Sequence, residues 1–155
     1  MKEVYTFPSA IGFISVETDN GAVVSVTISE TGIENTGNPL AVETRRQLEE
    51  YFDGKRISFD LPLAPVGTEF QNKVWNELKH IPYGETVSYK YIAHRIGNPN
   101  ASRAVGMANN KNPIPIIIPC HRVVGSNNKL VGYAYGLDMK QKLLNLEKRI
   151  INLKG

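Results

Sequence analysis

One short segment of the chain, Pro119-Cys120-His121-Arg122-Val123, combines residue types that could perform nucleophilic chemistry. Cys120 is the only cysteine among the 155 residues, and it follows an apolar run at 114–118 that we expect to be buried. A thiol reacts as its thiolate, which forms at a usual pKa of about 8.5 and is favoured by nearby cationic or hydrogen-bonding groups. A lone buried cysteine can equally be a small apolar side chain, so two interpretations are open. The catalytic interpretation requires a base and a residue that orients it, and the two normally lie far apart in sequence.

The last predicted helix, residues 137–152, carries an acidic residue within its apolar face. Glu147 shares that face with residues three and four positions away on either side, which are Leu143, Leu144, Ile150 and Ile151. An acidic side chain is rarely buried without a partner. Glu147 could lie at the rim of the core and reach water, or it could accept a hydrogen bond from an imidazole. The second arrangement would complete a Cys–His–Glu chain in which the carboxylate orients the base.

The composition excludes several kinds of site. A single cysteine excludes an internal disulfide and any multi-cysteine zinc or iron–sulfur site. The three histidines, at positions 80, 94 and 121, lack the spacing of a metal-binding pair, so we expect no metal. The start of the chain lacks the apolar core of a signal peptide, and no apolar stretch is long enough to span a membrane. We therefore expect a cytoplasmic protein with no membrane partner.

Charge is divided unevenly along the chain and suggests two domains. Residues 1–62 carry 5 Lys and Arg against 10 Asp and Glu, a net charge of −5. Residues 63–155 carry 13 Lys and Arg against 5 Asp and Glu, a net charge of +8. The sign changes at the Pro-rich stretch 62–65, where we place the domain boundary. A basic second domain is typical of contact with a polyanion, although a basic surface can also have no partner.

The first domain is predicted to contain an antiparallel sheet and one helix. Runs rich in β-branched and aromatic residues predict strands, and Asp19-Asn20-Gly21 is a hairpin-turn signal. Apolar periodicity predicts a helix that stops before Gly54. The predicted strands cover 4–7, 12–18, 22–29 and 57–61, and the helix covers 41–52.

The second domain is predicted to be mainly helical. Thr68 is a candidate N-cap for a helix that ends near residue 79, and Ser88 for a short helix that ends at residue 96. Asn100 closes a turn at 97–100 and is a candidate N-cap for a helix over 101–110. Two helices joined by a glycine-containing turn form a helix-turn-helix pattern, although ordinary helical bundles contain such pairs too.

The second helix of this pair, residues 101–110, consists mostly of small residues and carries one charge, Arg103. A helix that reads base edges in the major groove usually presents several long polar side chains. Small residues with one long arm suit close approach to the narrow minor groove, where an inserted side chain can disturb base stacking. The same composition also suits a tightly packed core helix with Ala104, Val105 and Ala108 buried. Composition leaves both interpretations open.

The stretch from Gly67 to Glu147 resembles the O6-alkylguanine-DNA alkyltransferases, also called methylated-DNA–protein-cysteine methyltransferases. The matching motifs occur in the family's order and spacing and cover about half the chain. They are Gly67-Thr68-x-Phe70-Gln71-x-x-Val74-Trp75, Ile81-Pro82-Tyr83-Gly84-x-Thr86-x-Ser88-Tyr89, Ala101-x-Arg103-Ala104-Val105-Gly106, Asn112-Pro113, Ile118-Pro119-Cys120-His121-Arg122-Val123 and Gly132-Tyr133-x-x-Gly136-Leu137. The resemblance implies an α+β fold, with a small ribonuclease H-like α/β domain at 1–62. A mostly helical, winged-helix-like domain with a helix-turn-helix would follow at 63–155.

The resemblance also implies catalytic roles. Cys120 would accept the alkyl group from O6 of a damaged guanine. His121 would take the thiol proton through a water, and Glu147 would orient His121. Tyr89 would donate a proton or hydrogen bond to the departing guanine, and Asn112 would brace the turn between the recognition helix and a strand bearing the cysteine.

Further residues would bind the DNA and the flipped base. Arg103 would fill the gap left by the extruded nucleotide. The other residues expected to contact DNA are Ser88, Tyr89, Ala101, Ser102, Gly106 and Arg122. The residues expected to form the base pocket are Val123, Leu130, Tyr133, Ala134 and Tyr135.

The implied function is direct repair of double-stranded DNA containing O6-alkylguanine, by one irreversible transfer of the alkyl group per chain. Whether O4-alkylthymine is a second substrate is left open. No cofactor is implied, and nothing in the sequence indicates an oligomer. Three alternatives remain: a non-catalytic sensor of alkylated DNA, a helix-turn-helix regulator, and a Cys–His hydrolase. The sensor would lack the cysteine, and the regulator would need more base-reading side chains. The hydrolase would rarely have its nucleophile and base as sequence neighbours.

Overall fold

The structure is a computed structural model and describes residues 1–154. The chain forms two compact units, Met1–Val66 and the residues from Gly67 onward. Five α-helices and a three-stranded antiparallel sheet are present in the described part, as expected for an α+β protein. None of the helices described is long and apolar enough to cross a membrane.

The sheet of the first unit consists of β1 (Glu3–Ser9), β2 (Gly12–Asp19) and β3 (Ala22–Ser29), in that order. The predicted hairpin turn joins the last two strands. Asn20 and Gly21 both have positive φ, 50° and 77°, which is the geometry that favours an Asn-Gly pair in a tight hairpin. Buried residues alternate along β1 and β2, and the two of β3 lie on either side of a shift in register. The buried apolar residues of the sheet are Tyr5, Phe7, Ile14, Val16, Val23 and Val26.

Helix α1 (Pro39–Phe52) belongs to the same unit and begins two residues before the predicted start. The side-chain oxygen of Asn38 caps it by accepting a 2.8 Å hydrogen bond from the Ala41 amide, and proline is well tolerated at the first helical position. Its buried residues include Leu48 and Tyr51, which add to the core of this unit.

The predicted strand at 57–61 is wrong, since the structure has no strand there. A side chain bonds to part of this backbone. Gln47 donates to the Asp60 carbonyl at 3.1 Å and accepts from the Asp60 amide at 2.9 Å. The chain then runs beside β3, where Val23 bonds to both Pro62 and Ala64. These bonds tie Pro62 and Ala64 to the sheet. The first compact unit ends at Val66, and the domain boundary was predicted at 62.

The second unit is built on three helices, α2 (Glu69–Leu78), α3 (Tyr89–Arg95) and α4 (Ser102–Asn110). Thr68 and Gln71 form a reciprocal capping box at the start of α2, and Ser88 caps α3 by accepting from the Tyr91 amide at 3.0 Å.

The turn between α3 and α4 differs from expectation at its end. Helix α4 starts at Ser102 without a side-chain cap, so the prediction that Asn100 caps it is wrong. Ala104 is exposed rather than buried, whereas Val105 and Ala108 are buried as predicted. The indole nitrogen of Trp75 donates to the Ala108 carbonyl at 2.8 Å and ties α2 to α4.

The apolar run at 114–118 is buried as expected, but it leads into a helical turn rather than a strand. Cys120–Arg122 form one turn of 3₁₀ helix. Strand β5 (Val123–Val124) follows and pairs in parallel with β4 (Val87–Ser88). The last helix, α5 (Leu137–Lys154), supplies Glu147.

Candidate active site around Cys120

The Cys120 side chain is buried, with 4% of the residue exposed. Burial raises the pKa of its thiol to about 11, although the Asn112 side chain and the charge of Lys140 act in the opposite direction. The thiol is therefore protonated at neutral pH. It needs a neighbouring base, or a change in its surroundings, before it can act as a nucleophile.

Asn112 holds the segment that leads to the cysteine. Its side-chain nitrogen donates to the Ile118 carbonyl at 2.8 Å, and its oxygen accepts from the Ile114 amide at 3.0 Å. Asn109 adds a bond of 3.2 Å to the carbonyl of Cys120 itself. The amide side chains thus fix the backbone on which the thiol is carried.

Glu147 is buried and bonded to His121, which favours the Cys–His–Glu interpretation over a rim position. One carboxylate oxygen lies 2.6 Å from Nε2 of His121. Burial alone would raise the pKa of Glu147, but its bonds to His121 and Arg122 outweigh burial and lower the pKa to about 2. The Gly84 amide also donates to the carboxylate, at 3.1 Å.

His121 is completely buried and is neutral in this arrangement. Burial lowers the pKa of its imidazole, and Glu147 opposes this effect only in part because Arg122 already balances the carboxylate charge. A neutral imidazole that donates from Nε2 to Glu147 leaves Nδ1 with a free electron pair. No group within residues 1–154 hydrogen-bonds to this buried Nδ1 atom. His121 can therefore take a proton.

Arg122, which was predicted to contact DNA, lies inside the protein with 7% of the residue exposed. Its guanidinium donates twice to Glu147, at 2.8 and 2.9 Å, and once to the Ile81 carbonyl at 2.8 Å. The group also lies over the Tyr83 ring, 5.5 Å from its centre. Arg122 therefore forms a buried hydrogen-bonded cluster with Glu147 and His121.

Lys140 is a site residue that the sequence analysis missed. It is fully buried, and its ammonium donates to the carbonyls of Val131 and Gly132, both at 2.9 Å. Burial lowers the pKa of Lys140 to about 8, and the opposite charge of an ionised Cys120 would raise it. Lys140 lies seven residues before Glu147, so the two share a face of α5. This seven-residue spacing from Glu147 is the sequence feature that could have identified Lys140.

Tyr89 shares an acceptor with Lys140. Its hydroxyl donates to the Val131 carbonyl at 2.9 Å, and the Lys140 ammonium lies 6.0 Å from its ring centre. Burial and, after it, the charge of an ionised Cys120 raise the pKa of the Tyr89 phenol. The phenol thus stays protonated and can donate a hydrogen bond.

A second tyrosine, Tyr133, is buried in the predicted base pocket. Burial is the main cause that raises the pKa of its phenol, followed by the charge of an ionised Cys120. Its ring meets that of Tyr135 edge-on, with centres 6.1 Å apart. The other predicted pocket residues differ in exposure: Val123 is buried, Leu130 is half-buried and Ala134 is exposed.

Five of the residues predicted to contact DNA line one groove between α3, α4 and the loop after β5. The groove has a volume of about 470 Å³, and these five residues are Ser88, Tyr89, Ser102, Arg103 and Gly106. Its other lining residues are Lys90, Gly125 and Ser126. A Cβ on Gly106 would lie 3.7 Å from the Tyr89 ring, so the small residue leaves this side of α4 open. Ala101 is half-buried at the start of α4.

Fold and site together define a two-unit α+β protein with a buried cysteine and an adjacent neutral histidine, next to a helix-turn-helix pair. No group of three or more metal-binding side chains occurs among the residues described. The family model described as "6-O-methylguanine DNA methyltransferase, DNA binding domain" matches residues 69–149. The chain belongs to this family, which confirms the resemblance seen in its motifs.

Similar proteins are known from several organisms. A protein of Methanosarcina acetivorans named methylated-DNA–protein-cysteine methyltransferase is 68% identical over 105 residues, covering 68% of this chain and 67% of the relative. One of the same name from Mycolicibacterium paratuberculosis is 45% identical over 155 residues, covering 96% and 94%. A Mycobacterium tuberculosis structure in complex with DNA is 43% identical, with a TM-score of 0.86 and coverage of 95% and 93%.

Proposed function

We propose that this protein is a DNA-repair enzyme that transfers a methyl or larger alkyl group from O6 of guanine to Cys120. The observation that carries the proposal is the buried Cys120 beside a neutral His121 fixed by Glu147 at 2.6 Å. Membership of the methyltransferase family and its relatives' names support the same reaction. The enzyme would act as a methylated-DNA–protein-cysteine S-methyltransferase.

The chemistry needs only groups that this chain supplies. Nδ1 of His121 takes the thiol proton through a water, and the Cys120 sulfur attacks the alkyl carbon. A sulfur–carbon bond forms as the carbon–O6 bond breaks, and the bonding electrons leave with guanine. Tyr89 donates a hydrogen bond or proton to that departing base, for which its hydroxyl must leave Val131. The charge of Lys140 favours the thiolate.

The product explains why one cysteine suffices. A thioether is not hydrolysed as a thioester would be, and the chain has no second thiol to remove the alkyl group. Each molecule therefore reacts once and needs no cofactor.

DNA binding is assigned to the groove between α3 and α4, where Arg103 is exposed. The alkyl carbon is inaccessible inside a duplex, so the nucleotide must be extruded, at a cost of a few kcal/mol. Arg103 fills the gap, while Ser102 and Gly106 allow α4 to approach the minor groove closely. The net charge of +8 on residues 63–155 supplies phosphate binding that does not depend on sequence.

Several finer assignments belong to the same proposal. The first unit would be ribonuclease H-like, and the second, with its β4–β5 pair, would be a winged-helix-like domain that holds both the DNA groove and the alkyl acceptor. Asn112 would act by bracing the Cys120 segment. We propose a metal-free monomer in the cytoplasm that acts on double-stranded DNA.

Labelled DNA tests the proposed function directly. Excess protein incubated with duplex DNA bearing isotopically labelled O6-methylguanine should retain at most one methyl per chain, located on Cys120 by peptide mass spectrometry. Cys120→Ala should retain none. More than one turnover per chain would indicate a hydrolase. Binding of the damaged duplex without transfer would indicate a sensor, and absence of both binding and transfer would reject the proposal.

Removal of the Arg103 side chain should slow methyl transfer from duplex DNA about tenfold, because extrusion then leaves an unfilled gap. Transfer from a single strand with the same lesion should change far less, since the lesion has no paired partner. Single-turnover rates of Arg103→Ala on both substrates measure this difference. Arg149→Ala, which removes the same charge from α5, is the matched control. An equal loss of rate on duplex and single-stranded DNA would show that Arg103 does not act in base extrusion.

A further inference from the structure

A second side chain on the exposed face of α4 stands next to Arg103. Met107 follows Arg103 by one helical turn and is 66% exposed, unlike Val105 and Ala108, which face the core. At 100° per residue, the two side chains point about 40° apart around the helix axis. Arg103 and Met107 therefore project to the same side of α4.

The DNA groove lies on only one side of Arg103. Ser102 and Gly106 line it together with Arg103, whereas Met107 is not among its lining residues. The other exposed residues of α4 near Met107 are Ala104, which is short, and Asn110, which is polar. Met107 is thus the one long apolar side chain on the solvent-facing surface of α4, on the far side of Arg103 from Tyr89.

We propose that Met107 is a second wedge that inserts into the minor groove beside Arg103 and stabilises an unstacked base step next to the extruded nucleotide. This inference rests on the proposed function, because it requires α4 to lie in the minor groove. Unbranched methionine adapts to irregular surfaces, and its sulfur makes favourable contacts with aromatic rings. Apolar side chains inserted between base steps are a recurrent means of kinking DNA toward the major groove.

Arg103 and Met107 would have different roles in the complex with DNA. Arg103 fills the space of the departed nucleotide and carries a charge that phosphates attract. Met107 has no charge and contributes only by covering base faces that extrusion exposes to water. Its contribution should therefore require a side chain that is both large and apolar, and length alone should not suffice.

Three substitutions separate these properties. Met107→Leu keeps an apolar side chain, Met107→Gln keeps the length but is polar, and Met107→Ala removes most of the side chain. Single-turnover methyl transfer from duplex DNA should be roughly fivefold slower for the Gln and Ala variants and near wild type for Leu. Transfer from a single strand with the same lesion should be unchanged for all three. Leu153→Ala, which removes a 77% exposed apolar side chain from α5, should not slow either reaction.

Base unstacking gives an independent readout. In the Cys120→Ala background, a duplex with 2-aminopurine next to the lesion should brighten on binding, and the added Met107→Gln change should reduce that gain. Wild-type duplex rates for the Ala and Gln variants, or equal losses on single strands, would overturn the wedge. A wild-type chain that transfers no methyl at all would instead reject the proposed function.

Discussion

Glu147→Gln should lower the rate of methyl transfer to Cys120 by about a hundredfold and the free energy of unfolding by about 3 kcal/mol. The wild-type carboxylate lies 2.6 Å from His121 and accepts two bonds from Arg122. A neutral amide would leave the Arg122 cation buried without an opposite charge, which is the costly way to break such a pair. It would also cease to fix the His121 imidazole with Nδ1 free as a base.

The stability part of this prediction depends on pH. The pKa of Glu147 is lowered from 4.5 to about 2, so its contribution to folding is complete above pH 4.5 and disappears as the pH falls toward 2. Denaturant unfolding at several pH values should therefore show a deficit for Glu147→Gln that is largest near neutral pH. A deficit that stays constant from pH 7 to pH 3 would contradict the assignment of this pKa.

A double substitution separates stability from catalysis. In Glu147→Leu with Arg122→Met, both charges of the pair are replaced by apolar groups, which often costs little or even stabilises. We expect this protein to unfold near the wild-type denaturant concentration and yet to transfer methyl slowly, because His121 has no orienting carboxylate. Glu85→Gln, at an exposed carboxylate, controls for loss of a negative charge. If the double variant regained the wild-type rate of methyl transfer together with the wild-type stability, Glu147 would have only a structural role.

The periodicity of α5 was sufficient to predict a partner for Glu147 but not to identify all of its partners. His121 follows from chemistry, since a cysteine nucleophile needs a base. Arg122 does not, because a basic residue in a basic domain is expected at the surface. Only the single 3₁₀ turn at 120–122 reveals that consecutive side chains of this segment both reach Glu147. A strand there would place them on opposite faces.

The fold shows the same limit on what local sequence signals can predict. The Asn20-Gly21 hairpin is predictable, because its turn chemistry is local and both residues tolerate positive φ. The conformation of 57–61 is not, because the backbone of Asp60 bonds to the side chain of Gln47, 13 residues earlier in a helix. The groove at Arg103 is intermediate. Five of its lining residues were among those predicted to contact DNA, but only the packing of α3 and α4 shows that they line one groove.

Lys140→Met should slow methyl transfer at pH 7 by about a hundredfold, because the Lys140 ammonium both favours the thiolate and bonds to two backbone carbonyls. The positive charge of Lys140 lowers the pKa of the Cys120 thiol, which burial otherwise raises. The same group anchors the carbonyls of Val131 and Gly132 at 2.9 Å. In the proposed reaction, it would hold Val131 in place when the Tyr89 hydroxyl moves from that carbonyl to bond to the substrate base.

The pH dependence of the rate distinguishes the two effects. Because burial lowers the pKa of Lys140 to about 8, its charge favours the thiolate at pH 7 and is lost as the pH rises above 8. The rate of Lys140→Met should therefore lie furthest below that of wild type under pH 8 and approach it above pH 8, which displaces its pH profile to higher pH. Lys140→Arg keeps the charge but fits the two carbonyls less well, so it should restore the position of the pH profile and only part of the rate. Lys142→Met, at an exposed lysine of the same helix, should leave both unchanged. A slow Lys140→Met with an unshifted profile would mean that Lys140 acts through Val131 and Gly132 alone, and that His121 ionises the thiol without its help.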